Sequence, residues 1–555
     1  MSHQRSSFDR SFSHKTTFNV GDVVPVFCEE VLPGDTFSVD TAKVVRMQTL
    51  LAPVFDNMYL DTYYFFVPNR LTWQHWKQFC GENTESAWIP TTNYSVPTIS
   101  APSGGFDVGT IADYMGLPVG VEWSATDVNA PIALPFRAYA LICDSFFRDE
   151  NLQDPLVVDV TDANNVGTNS DGLSAPANGG KPFRAAKYHD YFTSSLPSPQ
   201  KGPAVSLGSA VSGSFPVYAG DIHGKYNIAD NGVPVGLAFS HLTGSTVDYS
   251  VVGGMGGIDG TSFNFGNYGK VTTTDLIGSQ AGRGYGNTFP SNLWTDVNLS
   301  GSSFSINELR LAVVTQMYYE ALARGGSRYE EQIAQFFGVT NPDSRVQRPE
   351  YLGGNRIQLN VHAVTNTAQS EKDFLGDLGA QSVTGDRHSD FTKSFTEHGW
   401  VLGLVVARYD HSYCQGIERK WLRKDKFDYY NPLFARIGEQ PVYNVEIYAD
   451  ANSLASKTVF GYQEAWASYR YAPNKASGEL RPNVSGSLGH WTLTDNYSTQ
   501  PTLSDTWISE DKTNVDRCLA VTSSLSNQLF GDFYFNFKCV RPMPMYSVPG
   551  ALGAF

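Results

Sequence analysis

Ten consecutive residues, Gly399 to Arg408 (GWVLGLVVAR), carry no charge before the final arginine. The run is far too short to cross a bilayer, which takes about 20 apolar residues as a helix. Neither side of an extended chain would be polar here, so the stretch reads as a strand buried on both faces. A second strand signal is of the one-sided kind. Phe533, Phe535, Phe537 and Cys539 alternate with Tyr534, Asn536 and Lys538, giving one apolar face. Thr36 to Asp40 alternates in the same way, and Tyr59 to Val67 is a β-branched and aromatic run ended by Pro68.

Composition agrees with an all-β dominated chain. Charged residues make up 17%, aromatics 13%, and there are 51 glycines and 29 prolines. So little charge, against roughly 25% in ordinary soluble domains, suits a surface that is partly covered by something else. An isolated protein of this kind would tend to associate, and association reads here as the purpose. At 555 residues the chain calls for several domains or one domain with long insertions. A net charge of −15 argues against nucleic-acid binding over the whole surface but leaves room for a local basic face. Cys28, Cys80, Cys143, Cys414, Cys518 and Cys539 are far apart and form no CxxC pair, so buried thiols are expected rather than disulfides or a zinc site. The start, MSHQRSSFDRSFSHK, has no apolar h-region. The expectation is a protein made and assembled in a cytosol, with no membrane insertion.

Residues 1–17 place Arg5, Arg10 and Lys15 among Ser, Phe and His with one acid, Asp9, and read as a basic arm rather than a packed element. Leu156 to Lys181 is loop, punctuated by Asn164-Asn165, Asp171-Gly172 and Gly179-Gly180. Residues 203–304 are rich in glycine and poor in charge, yet keep aromatics such as Tyr218, Phe239, Phe263 and Trp294. They read as an inserted, exposed β-rich module. Residues 305–338 are predicted to form a helical hairpin. Ser305 and Glu308 make one capping box, Ser327 and Glu330 a second, and Gly338 closes the pair. Ile306, Leu309, Val313 and Met317 give the first helix an apolar stripe. The ending RPMPMYSVPGALGAF (541–555) has no helical period and reads as an extended tail.

Catalytic and cofactor motifs fail on inspection, and no cofactor or metal is expected. Gly220 to Lys225 (GDIHGK) is one residue short of a phosphate loop, and Tyr226 replaces its Ser or Thr. There is no GxSxG and no HExxH. His189 and Asp190 are neighbours, which in a strand point to opposite faces. Glu330 and Glu331 project about 100° apart on a helix and cannot flank one bond. The run Glu418 to Lys426 is different. Arg419, Lys420, Arg423, Lys424 and Lys426 interleave with Trp421 and precede Phe427, Tyr429 and Tyr430. Cations that track phosphates beside rings that stack on bases suit single-stranded nucleic acid. These five residues, with Arg5, Arg10 and Lys15, are the candidate DNA-facing groups. Glu330, Arg345, Arg348 and Glu350 are candidate structural or assembly residues, expected to lock a loop or a subunit contact by charge-assisted pairing.

Several long stretches resemble the major capsid protein of the Microviridae, in its gokushovirus branch. They include LPFRAYALICDSFFRDENLQDP (134–155), KYHDYFTSSLPSPQKG (187–202), the block 306–354, FTEHGWVLGLVVARYDHSYCQGIERKWLRKDKFDYYNPLFARIGEQPV (395–442), VFGYQEAWASYRYAPNKASGELRP (459–482) and VRPMPMYSVPGALGAF (540–555). The resemblance implies a single viral jelly-roll, eight strands in two sheets, built from 18–202 and 305–539. It implies a tail at 540–555 and a threefold spike for host attachment at 203–304. It implies about sixty copies in a T=1 icosahedral virion shell, assembled in the bacterial host cytoplasm around a circular single-stranded DNA genome. A small basic DNA-associated capsid protein, an internal scaffolding protein, a minor pilot protein and a host surface receptor are its implied partners. A β-rich polysaccharide-active enzyme or a cell-surface binding protein is the rival reading. The first needs two carboxylates in a cleft, and the missing signal peptide disfavours the second.

Overall fold

The computed structural model describes residues 5–85, 92–203, 205, 306–367, 375–376 and 378–546, and between 206 and 305 only the backbone of five short strands. The expected cap at Ser305 and the end of the tail lie outside the described residues.

Nine strands build the two largest sheets: β1 (Ser6–Asp9), β2 (Phe12–Phe18), β3 (Val24–Val31), β4 (Thr36–Met47), β5 (Met58–Pro68), β6 (Glu350–Gln358), β7 (Thr384–Ser394), β8 (Gly399–Tyr409) and β9 (Leu529–Arg541). One sheet runs β1-β9-β4-β7, with β2 also on β9; the other runs β6-β5-β8-β3. Every pairing in both is antiparallel. The fold is strand-rich with few helices, consistent with a capsid jelly-roll.

The residues expected to form a free arm are instead an edge strand. Ser6 lies opposite Arg541 and Phe18 opposite Leu529, so β1 and β2 follow one another along β9. The reason is alternation hidden among polar residues: Ser6 and Phe18 are buried and Phe12 packs on the core, while Arg5, Arg10 and Lys15 stay outside.

The two sheets face each other. Phe533, Phe535, Phe537 and Cys539 of β9 are fully buried. Phe535 meets Phe27 of β3 with ring centroids 5.2 Å apart, and Phe537 meets Phe37 of β4 at 4.8 Å. The doubly buried β8 is explained by two cores. Val401, Val405 and Ala407 point into the sandwich. Leu402, Leu404 and Val406 point the other way, into a second core under helix α1 (Leu134–Ile142). Each such side chain contributes roughly 1.5–3 kcal/mol, so both layers are needed to hold this strand. Cys143, Cys414, Cys518 and Cys539 are buried thiols as expected, but Cys80 is exposed.

By contacts the chain divides into two compact units, Met1–Gly202 with Tyr318–Phe555, and Pro203–Met317. In the second, Ala238–Thr243 pairs antiparallel with Thr246–Val251 and with Phe289–Pro290. Helix α2 spans Ile306–Gly325, and the stripe residues Ile306, Leu309, Val313 and Met317 are exposed. Helix α3 (Tyr329–Gln332) runs into a wider turn, Ile333–Phe337, closed by Gly338 in the left-handed region. Tyr318 stacks on Phe336 at 5.3 Å, and Gln335 donates to the Ala321 carbonyl at 2.9 Å. The cap of α3 is shifted by one residue from expectation. Glu331, not Glu330, accepts from the backbone N–H of Arg328 at 3.1 Å. Ser327 is not the cap because Glu150 takes its N–H at 2.7 Å.

Candidate assembly and nucleic-acid interface

Beyond β8 the chain leaves the sandwich and folds over a third small core that includes Tyr191, Phe192, Tyr413, Val442, Phe460 and Trp507. The basic run begins on a short turn, Arg419–Trp421. Arg419 faces inward. It donates to the Pro441 carbonyl at 2.6 Å, reaches Glu446 at 3.4 Å and lies over the Tyr443 ring. Burial raises the Glu446 carboxyl, and Arg419 opposes that. Arg419 is thus committed to a buried carboxylate. Arg423 is also partly committed, donating to Ser468 Oγ at 3.1 Å and stacking on Tyr469 at 3.9 Å. Lys420 pairs with Glu418 at 2.6 Å. Lys424 and Lys426 are exposed, and the exposed Asp428 accepts the backbone N–H groups of Lys424 and Asp425, both at 2.9 Å.

Around these cations sits an apolar surface. Trp421 is 71% exposed and Leu433 88%, and Phe427, Tyr429, Tyr430 and Ile437 are exposed with them. One subunit leaves this patch in water, a large enough cluster to mark an interaction surface.

The other candidates separate. Arg5 bonds the Gly34 carbonyl and Thr36, Arg10 pairs with Glu29 at 2.6 Å, and Lys15 is exposed, 3.9 Å from Asp532. The two sets of basic residues are not brought together. Arg348 bridges Glu330 at 2.6 Å and Asp343 at 2.7 Å, with its guanidinium 4.5 Å from the centroid of the Phe146 ring. It ties α3 to the segment entering β6. Glu350 pairs instead with Lys393 of β7 at 2.6 Å. Arg345 is exposed.

Two charged clusters have no signature in the sequence. Asp61 of β5 binds Arg356 of β6 and Arg408 of β8, both at 2.6 Å, and accepts from Tyr188 at 2.9 Å. Burial would raise its carboxyl, but the two guanidiniums hold it below the usual value. Further along, His411 lies between Asp495 at 2.7 Å and Glu510 at 2.9 Å, with Lys187 3.6 Å from Asp495. These residues are all buried. Only their placement in strands and loops distant in sequence brings them together. His189 is not among them. Its neighbour Asp190 accepts from the backbone N–H groups of Phe192 and Thr193, both at 2.8 Å, so that pair serves a turn.

No helix among the described residues is long and apolar enough to cross a membrane. Residues 1–551 match the family described as capsid protein (F protein). The chain is 40% identical to capsid protein VP1 of Chlamydia phage 1, covering 99% of this chain and 96% of that protein. It is 40% identical to capsid protein VP1 of Spiroplasma virus 4, over 97% and 94%. For capsid protein VP1 of Bdellovibrio phage phiMH2K the identity is 38%, over 99% and 96%. The expected resemblance to microvirus capsid proteins is borne out, and with it a structural rather than an enzymatic role. The chain belongs to the capsid protein (F protein) family of phage virions.

Proposed function

We propose that about sixty copies of this chain close a T=1 icosahedral shell around a circular single-stranded DNA genome. The observation that carries the reading is the exposed apolar surface at Trp421, Phe427, Tyr429 and Leu433, which one subunit cannot cover. Stable interfaces bury about 1,200–2,000 Å² in total, and a second copy is the natural cover in a shell-forming family. Counting β1 and β2 as one strand, the strand order supports a single eight-stranded jelly-roll, with 305–338 as a helical hairpin on it. Residues 203–304 are the spike that meets the host receptor. The expected tail 540–555 is shortened at its start, because Val540 and Arg541 pair with β1 as the end of β9; the residues after β9 are a tail on a neighbouring subunit.

Lys15, Lys424 and Lys426 are the best placed to face DNA, since Arg5, Arg10, Arg419, Lys420 and Arg423 already have close partners in the subunit. The basic DNA-associated protein, the scaffolding protein and the pilot protein complete the assembly in the host cytoplasm. The test is expression of the Trp421→Asp/Leu433→Asp variant. Folded subunits that fail to form particles are expected; full particles of normal mass would refute the assembly surface. Lys424→Glu/Lys426→Glu should instead give shells with reduced DNA, and normal packaging would exclude these lysines.

A further inference from the structure

Lys43 stands on β4 with its side chain pointing into the sandwich, and the residue is only 1% exposed. Among the described residues it is the sole lysine in the set of largest fully buried side chains. Across the gap, on β6 of the facing sheet, is Asn355. Lys43 Nζ donates to Asn355 Oδ1 and to Thr62 Oγ1, the latter at 2.9 Å. Asp386 completes the set. Its Oδ2 lies 3.6 Å from Lys43 Nζ and accepts from Asn355 Nδ2 at 2.8 Å. One carboxylate oxygen therefore bonds the amide nitrogen and lies within ion-pair range of the amine.

The placement follows from register. Lys43 and Asp386 are directly opposite each other on β4 and β7, and Asn355 and Thr62 are directly opposite on β6 and β5. Two cross-strand pairs thus meet face to face at the edge where β6 and β7 close the sandwich. Gly353 and Gly354 permit the approach. A Cβ at Gly353 would sit 2.4 Å from the Asp390 carbonyl oxygen, and one at Gly354 would sit 1.9 Å from that of Thr62. The amide orientation is also fixed, because the reverse one would aim Oδ1 at the carboxylate and NH₂ at the lysine.

An amine, a carboxamide and a carboxylate in this arrangement are the parts of a transamidation. We propose that Lys43 and Asn355 become joined by an amide bond that the folded protein forms itself, tying one sheet to the other. Lys43 Nζ, as the free amine, attacks Asn355 Cγ, and the new N–C bond forms. Asp386 takes the proton from Nζ and passes it to Nδ2 as the Cγ–Nδ2 bond breaks. The bonding pair leaves with nitrogen as ammonia. Starting from the ammonium, the balance is lysine ammonium plus asparagine amide giving secondary amide plus ammonium ion, with no oxidant or cofactor. Burial pushes the Lys43 ammonium down from its ordinary value, against the pull of Asp386 and Asp390, which favours the nucleophilic form. Held geometry replaces an encounter in solution, an advantage equivalent to very high effective concentrations. Asp386 and Asn355 are only half-buried, so ammonia has a way out.

The reading is tested by intact mass measurement of the full-length protein, followed by fragmentation of its proteolytic peptides. The expected mass is lower than that of the sequence by about 17 Da, one ammonia, with a branched peptide joining Lys43 to Asn355. Denaturation should not restore it, and the closed loop should make the denatured chain run faster in a gel. The full sequence mass would overturn the proposal. So would the same loss on a linear peptide, which would mean that Asn355 cyclised on its own backbone. Lys43→Arg should abolish both the loss and the branch. Asp386→Asn should leave most chains unlinked; complete linkage in that variant would remove Asp386 from the step.

Discussion

The His411 cluster makes a prediction that stability measurements can decide. The imidazole is buried between two carboxylates, with the Tyr409 ring 4.4 Å away and Lys187 beyond Asp495. Tyr497 and Asn514 donate to Asp495 at 2.7 and 2.8 Å. Burial opposes the charged ring, but Asp495 and Glu510 outweigh it and raise His411 to about 9 from 6.5. Burial likewise opposes the Asp495 carboxylate, yet His411 and Lys187 hold it well below its usual range. A folded value above the unfolded one means that the folded chain holds a proton the unfolded chain releases. The stabilisation is full below pH 6.5 and is lost as pH rises through about 9. That gap corresponds to about 3 kcal/mol. If the larger unit melts as one, Tm should fall by about 3 °C across this window. Differential scanning calorimetry at intervals from pH 6 to 9 measures it, and lysines and tyrosines titrate mostly above that range. His411→Gln should melt lower at pH 6.5, by about 3–5 kcal/mol, since two carboxylates then lose a buried cation. Its Tm should depend less on pH. Parallel Tm curves for the two proteins would refute the charged imidazole.

Arg137 donates to Asn165, Thr72, Thr161 and Ala163 while fully buried; Arg137→Met should cost about 3–5 kcal/mol, read as lost soluble yield or a lower Tm. Phe535→Ala removes a ring from the centre of the sandwich and should cost about 3–5 kcal/mol in chemical denaturation. Arg348→Ala breaks a half-exposed bridge, so its global cost should be only about 1 kcal/mol. Its signature should be faster amide hydrogen exchange confined to 329–346, and unchanged exchange there would deny the bridge its local role.

Much of the sandwich was legible because its strands state their burial in residues i, i+2 and i+4. GWVLGLVVAR falls on β8 almost to the residue, and the Phe533–Cys539 alternation marks the middle of β9, which extends beyond it at both ends. The edge strand β1-β2 was not legible, because Ser6, Phe12 and Phe18 are too few to outweigh the polar residues between them. Its pairing is decided by the length of β9 alongside. The cap at α3 was misplaced by one residue because Glu150, far away in sequence, claims the Ser327 N–H. The same holds for the basic run. Its charge was evident, but Arg419 turns inward to a buried carboxylate, Glu446, which a short helical turn at 444–447 places there. The charged partners of Asp61, His411 and Lys43 come from other strands or distant loops rather than from their sequence neighbours. No local pattern encodes such a meeting.

The charged clusters also answer how the long segment 69–202, which follows β5, is held on one face of the second sheet. At one end α1 and Phe106 cover Leu402, Leu404 and Val406 with apolar surface, which is non-directional and would tolerate sliding. At the other end the segment 183–188 docks through specific bonds. Phe183 accepts from the Val23 N–H at 2.9 Å, Ala186 accepts from Arg408 at 3.3 Å, and the Tyr188 ring lies 4.4 and 4.3 Å from the Arg356 and Arg408 guanidiniums. Buried ion pairs add little net stability because desolvation offsets the attraction, but an imperfect alignment leaves a charge unpaired at a cost of several kcal/mol. They therefore fix position more than they add strength. In a shell subunit that distinction matters, because the covering loops present the surfaces that neighbouring copies must match. Asp61→Asn keeps the volume and removes the charge that both arginines share. It should leave the subunit folded while loosening the 183–190 segment, seen as faster amide exchange there. Unchanged exchange at 183–190 would show that the apolar end alone sets the dock.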